Sequence, residues 1–120
     1  MPVSFEQVVF DCHNALSQAQ FWSAVLEQPV DPGGSEFFAT VGRSSQYPLP
    51  TAFMFIQVPE ERAGKNRLHV DLGSATPEVD VARAIEHGAE RVADFDEYGT
   101  KWTTLRDPEG NLFDIAHVGS

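Results

Sequence analysis

Apolar and polar residues alternate from Phe5 to Cys12. In an extended strand Val8, Phe10 and Cys12 fall on one side, and Gln7, Val9 and Asp11 on the other. The period then changes. Ala15, Ala19, Trp22, Val25 and Leu26 recur at helical spacing behind a candidate N-cap, Asn14, so the pattern predicts an amphipathic helix over 15–27. Pro29, Pro32 and the Gly33-Gly34 pair end it. Two strands follow, at 36–42 and 52–58, joined by a polar, proline-containing loop from Ser44 to Pro50.

The same order then recurs. Arg67 to Gly73 reads as a strand with Leu68, Val70 and Leu72 on one face and Arg67, His69 and Asp71 on the other. Thr76-Pro77-Glu78 opens a second helix with a cap, a proline at the first position and an acid in the first turn. Val81, Ala82 and Ile85 form its apolar stripe, and Gly88 ends it. Strands are predicted at 90–96, 101–106 and 112–117. Sliding the first strand by 62 residues sets Gln7 on His69 and Asn14 on Thr76. A β-α-β-β(-β) unit used twice accounts for the chain. It makes one α+β domain over 1–120, with modules of about 1–60 and 65–120.

The last strand is introduced by Asp107-Pro108-Glu109-Gly110-Asn111. Proline presets its own φ and the aspartate side chain bonds the backbone ahead, while Gly110 and Asn111 tolerate positive φ. Leu112, Asp114 and Ala116 then point one way, Phe113 and Ile115 the other. An aspartate within such a strand is either solvated or looks into a site.

Charge narrows the options. Eight Lys+Arg against 18 Asp+Glu give a net charge of −10, which argues against nucleic acid and against anionic membranes. Solubility is the plain reading of this acidity; a preference for cationic ligands is the sharper one. Cys12 is the single cysteine, so no internal disulfide forms, and a cytoplasmic location is expected. No apolar run reaches the roughly 18 residues of a membrane span, and no signal-peptide pattern opens the chain.

Phe21-Trp22, Val58-Pro59-Glu60, the run from Lys65 through His69 to Leu72, and Asp107-Pro108-Glu109-Gly110-Asn111 occur in an order that resembles the vicinal oxygen chelate superfamily. That superfamily includes glyoxalase I, extradiol dioxygenases and the bleomycin-resistance proteins. The resemblance is nearest to short glyoxalase-like domains of the actinobacterial type. It implies two βαβββ modules forming a U-shaped cup of mixed sheets with helices outside, and often a homodimer. The apolar alternates would face the helices, and Gln7, His69, Asp71 and Asp114 the cup.

Carried over by position, the family's metal ligands fall on Gln7, Gln57, His69 and Asp114. One imidazole, one carboxylate and two amides imply a weak site for a divalent metal (Zn, Ni, Mn or Mg). Asp114 is then the one group able to act as a general base, because an amide at Gln57 accepts no proton near neutral pH. Gln7 at the first ligand position argues against dioxygenase chemistry. Each residue also has a plain reading: His69 as a hydrogen-bonded strand residue, Asp114 as a partner of Arg67 or Arg106, the glutamines as polar strand positions. Phe53 and Phe55 share a face with Gln57 and would line the ligand cup, Trp102 would floor it or pack in the core, and Arg67 would hold an anionic group or pair locally. His13, His87 and His117 are expected at the surface, and Cys12 buried and inert. The implied function is a glyoxalase-like lyase or isomerase acting on a small carbonyl compound. The alternatives are a non-catalytic small-molecule sequestering protein of the bleomycin-resistance type and an accessory protein with a vestigial cup.

Overall fold

The structure, a computed structural model, describes residues 2–119. The chain divides into two units, Met1–Glu60 and Glu61–Ser120. No helix among the described residues is long and apolar enough to cross a membrane.

The first unit runs β1 (Gln7–Cys12), α1 (Ala15–Leu26), β2 (Phe38–Val41) and β3 (Ala52–Gln57). Its sheet has the order β1-β3-β2, with β1 parallel and β2 antiparallel to β3. An isolated antiparallel bridge, Val30 to Val41, extends the far side of β2. Asn14 caps α1 as expected, its side-chain oxygen accepting from the Ser17 backbone N–H at 3.0 Å. The helix ends on Glu27, which takes the left-handed conformation at φ 53° ahead of the prolines. Ala15, Gln18, Ala19, Phe21, Trp22 and Val25 form its buried face. Trp22 meets Phe10 and Phe53 at centroid distances of 5.5 and 5.3 Å, so one side of the sheet and the helix close an aromatic core. Cys12 is buried there and donates to the Ile56 carbonyl.

The second unit runs β4 (Val70–Ser74), α2 (Pro77–Glu86), β5 (Glu90–Glu97), β6 (Thr100–Arg106) and β7 (Leu112–His117). Its order is β4-β7-β6-β5, with β4 parallel to β7 and the other neighbours antiparallel. Phe113, Ile115 and Leu105 point to the α2 side and are buried with Val81 and Ala84 of the helix. The two units are therefore βαβββ-like modules with mixed sheets and one flanking helix each, as the repeated pattern predicts.

Three details differ from the sequence reading. The helical stripe is Val81 and Ala84, not Val81, Ala82 and Ile85; Ile85 is 41% exposed, because α2 lies mainly over β7 and β4 and its far side meets solvent. The strand expected from Arg67 begins at Val70, leaving Leu68 85% exposed. In the turn before β7 only Gly110 needs positive φ, at 92°. Asn111 instead gives its amide to both Asp107 carboxylate oxygens at 3.2 and 3.0 Å. The same carboxylate accepts the backbone N–H groups of Glu109 and Asn111, so the turn is organised around a buried aspartate.

Candidate functional site

The open face of the second sheet, opposite α2, follows from the register. In parallel β4–β7 pairing Asp71 sits opposite Asp114, and in antiparallel β6–β7 pairing Thr104 sits opposite Asp114. Paired residues point to the same side of a sheet, and Asp114 points away from buried Phe113 and Ile115. Asp71, Asp114 and Thr104 therefore form one row on the side without a helix.

His69 joins this row from the segment just before β4. The segment is tied down by Asn66, whose side-chain amide donates to the Leu112 carbonyl at 3.0 Å and to the Leu68 carbonyl at 3.3 Å. Arg62 in turn donates to the Asn66 side chain at 2.5 Å and to that of Asn111 at 3.4 Å. His69 Nδ1 then lies 3.7 Å from Asp114 Oδ2. The Thr104 hydroxyl donates to the other oxygen, Asp114 Oδ1, at 2.5 Å. One donor atom each from His69, Asp71 and Asp114 lies within 4.8 Å of the others. The Asp114 side chain is largely covered and His69 partly open, so the group meets solvent from one side.

Electrostatically this is a strained gathering of like charges. The Asp71 carboxyl is raised above its ordinary range by partial burial, then by its hydrogen bond to Asp114 and that neighbour's negative charge, with His69 opposing the rise. Two carboxylates and an imidazole that share a few ångströms form a donor set of the kind that takes a divalent cation, since the ion offsets the repulsion and uses both oxygen and nitrogen ligands. By donor chemistry, the residues present fit a metal.

Of the other expected site residues, those of the first unit lie on both faces of its own sheet. β1–β3 pairing sets Gln7 opposite Ala52 and Cys12 opposite Gln57. Gln57 therefore shares the helix side with Phe53 and Phe55, on the opposite face from Gln7, and the two amides do not converge. Gln57 donates to the His13 carbonyl at 2.9 Å, while Gln7 accepts from the Arg43 guanidinium. Phe53 and Phe55 are packed in the core of the first unit rather than lining an open face. Arg67 is exposed ahead of β4, and Arg106 pairs with Glu90 at 2.8 Å instead of Asp114. Trp102 lies on the same face as Asp114, one residue pair further along β6, and stacks on Phe95. His13, His87 and His117 are at the surface as expected.

Asp71, Thr104 and Asn66 are the site residues that the reading of ligand positions passed over. Alternation already set Asp71 beside His69. Its role depends on which residue of β7 stands opposite, and only the pairing decides that.

The family model described as a glyoxalase-like domain matches residues 7–116. No curated protein sequence matches the chain. Among solved structures, a glyoxalase/bleomycin resistance protein/dioxygenase family enzyme from Burkholderia phytofirmans PsJN is similar at TM-score 0.80 and 18% identity, covering 98% of this chain and 100% of its own. A variant of the fosfomycin resistance protein FosX from Listeria monocytogenes, in complex with Mn(II) and 1S,2S-dihydroxypropylphosphonic acid, is similar at TM-score 0.75 and 11% identity, with coverage of 100% and 93%. TioX from Micromonospora sp. ML1 follows at TM-score 0.67 and 15% identity, with coverage of 96% and 98%. At these identities the likeness is one of fold.

Proposed function

The chain belongs to the glyoxalase-like domain family, and on that premise we propose that it is a small-molecule protein whose metal-assisted site is His69, Asp71 and Asp114. The observation that carries the reading is the approach of these three donor atoms to within 4.8 Å. The ligand set differs from the one the family resemblance implies. Asp71 enters it, and the glutamines are left out because each already serves a partner in the first unit.

A divalent ion bound there would polarise a carbonyl or hydroxyl oxygen of the ligand and stabilise negative charge on it. The chain's own part is to orient and to move a proton. Thr104 holds Asp114 by one oxygen, leaving Oδ2 toward His69. A carboxylate oxygen of Asp71 or Asp114 not taken up by the ion is placed to accept a proton from a carbon beside a carbonyl. The reaction class that fits is proton transfer in a small hydroxycarbonyl compound. This is the isomerase or lyase type of step, with the carboxyl pair as base. The relative solved with Mn(II) and a dihydroxy phosphonate supports the choice of a metal and of oxygen-rich ligands.

The test is calorimetric titration of the metal-stripped chain with Mn(II), Ni(II), Zn(II) and Mg(II), alongside His69→Ala. Binding of one of these ions with one-to-one stoichiometry, lost in the variant, is expected. Absence of binding by the unaltered chain would overturn the metal reading. Deuterium exchange at the carbon beside the carbonyl of hydroxyacetone, followed by proton NMR, then separates catalysis from binding. The sequestering alternative draws on the partly exposed Phe95–Trp102 pair on the same face, and metal-dependent binding without exchange would favour it.

A further inference from the structure

We infer that the Phe95–Trp102 pair and the small residues beside it form a second half of this site, and that its ligand is an oxygen-donor compound carrying a flat aromatic group within a few bonds of the donor atoms. The inference rests on the metal reading above and adds the ligand's chemical class to it.

Strand register sets the side chains of the open face in rows. Across β5, β6, β7 and β4 the register reads Ala93, Thr104, Asp114 and Asp71. The next row along reads Phe95, Trp102, Ala116 and Gly73. Rows on one face are two residues apart, about 7 Å. The first row ends in the carboxyl pair. The second sets two large rings beside a methyl group and then a bare backbone.

The rings stack at 5.1 Å with planes 17° apart, so each partly covers one face of the other, and Ala116 is the neighbour of Trp102 on the side away from Phe95. At the far end, a Cβ on Gly73 would meet Val118 Cγ2 at 2.9 Å, so the Val118 side chain occupies that end. By register, Trp102 stands on one side of Ala116 and the Gly73–Val118 end on the other, one row from Asp114, and on this inference the small Ala116 side chain leaves a notch between them. Core packing does not account for the rings. α2 lies on the opposite face, Phe95 is 37% exposed, and its neighbours on β5 are exposed as well. In the first unit, by contrast, Phe21, Trp22, Phe53 and Phe55 are all buried. A partly wetted, flat, apolar wall beside a cluster of charged donors suits a ligand with both characters, since stacking on it gains affinity only for a planar group.

The test compares two probes with one donor group, 3-phenyllactate and lactate, titrated into the full chain loaded with Mn(II). The expected result is at least tenfold tighter binding of 3-phenyllactate. Trp102→Ala should reduce that ratio below about threefold with Mn(II) affinity unchanged. Ala116→Leu, which fills the notch without removing a ring, should do the same. Equal binding of the two probes by the Mn(II)-loaded chain overturns this inference and leaves the metal site standing. Retention of the ratio in both variants overturns it equally. Failure of the chain to bind Mn(II) or any other divalent ion overturns the metal reading, and the inference with it.

Discussion

Asp31 in the first unit and Asp71 in the second are carboxylates with opposite surroundings. Asp31 is 7% exposed; its oxygens accept the Thr40 hydroxyl at 2.6 Å and the backbone N–H groups of Arg43 and Ser44. Burial raises its pKa, but the hydrogen bonds from Thr40, Ser44 and Arg43 outweigh that, and it ends below the ordinary range. Asp71 is exposed, faces a second carboxylate, and ends above it. A carboxylate with every lone pair matched organises a loop. A carboxylate aimed at another carboxylate costs stability unless a cation or a proton joins it.

The same contrast runs through the repeat. By position in the two sheets, His69, Asp71 and Asp114 correspond to Gln7, Val9 and Met54. One amide remains where the second unit has an imidazole and two carboxylates. The rings nearest each helix also differ: Phe21, Trp22, Phe53 and Phe55 are buried with α1, while Phe95 and Trp102 stack on the face of the second sheet away from α2. On the proposed reading, the first module is mainly a packed support and the second carries the chemistry.

The division is most directly broken by two tryptophan substitutions. Trp22→Ala should lose about 3–5 kcal/mol of stability by urea unfolding, as expected for a fully buried ring. Trp102→Ala should cost under about 1 kcal/mol. Equal losses would show that the second pair is core after all. Next in size is metal affinity. His69→Ala should weaken it by ~100-fold or more, since a ligand is lost outright. Gln7→Ala should change it less than about twofold, and a tenfold loss there would give the first unit a share in the site.

Asp31→Ala leaves the Thr40, Arg43 and Ser44 donors without their acceptor and should cost about 2 kcal/mol. The sign with pH follows from the lowered carboxyl. Its stabilisation is present above the unfolded carboxylate pKa and is lost as pH falls through the folded one. The variant should therefore differ least from the parent in strong acid. Asp71 has the opposite sign. Its raised carboxyl favours the folded state below the unfolded pKa, and that contribution is lost as pH rises through the folded value. Metal-free Asp71→Asn should thus melt about 1–2 °C above the parent at neutral pH, a shift scaled to a screened, exposed repulsion. It should lose that advantage on acidification and bind metal more weakly. A lower melting temperature at neutral pH would remove the contrast with Asp31.

Local periodicity made most of the fold legible. The strands and both helices fall within a few residues of their expected positions, because alternation and helical spacing are local properties. The turn at Asp107 was legible for the same reason, its bonds spanning only four residues. The departures come from long-range terms. Asn66 ties the segment before β4 to Leu112, so Leu68 never enters the strand that its alternation suggested. Ile85 is exposed because of where α2 settles on its sheet, which the helix's own spacing does not contain.

Alternation in the sequence was enough to set His69 and Asp71 on one side of their segment and Asp114 on the open side of its strand, since side-chain direction is a property of each strand alone. It could not decide whose side chain stands opposite whose. Register is a relation between distant segments, set by the turns and helices between them and by which faces become buried. Through it the tertiary structure turned Gln57 to the helix side, sent Phe53 and Phe55 into the core, and brought Asp71, Asp114 and Thr104 into one row with His69.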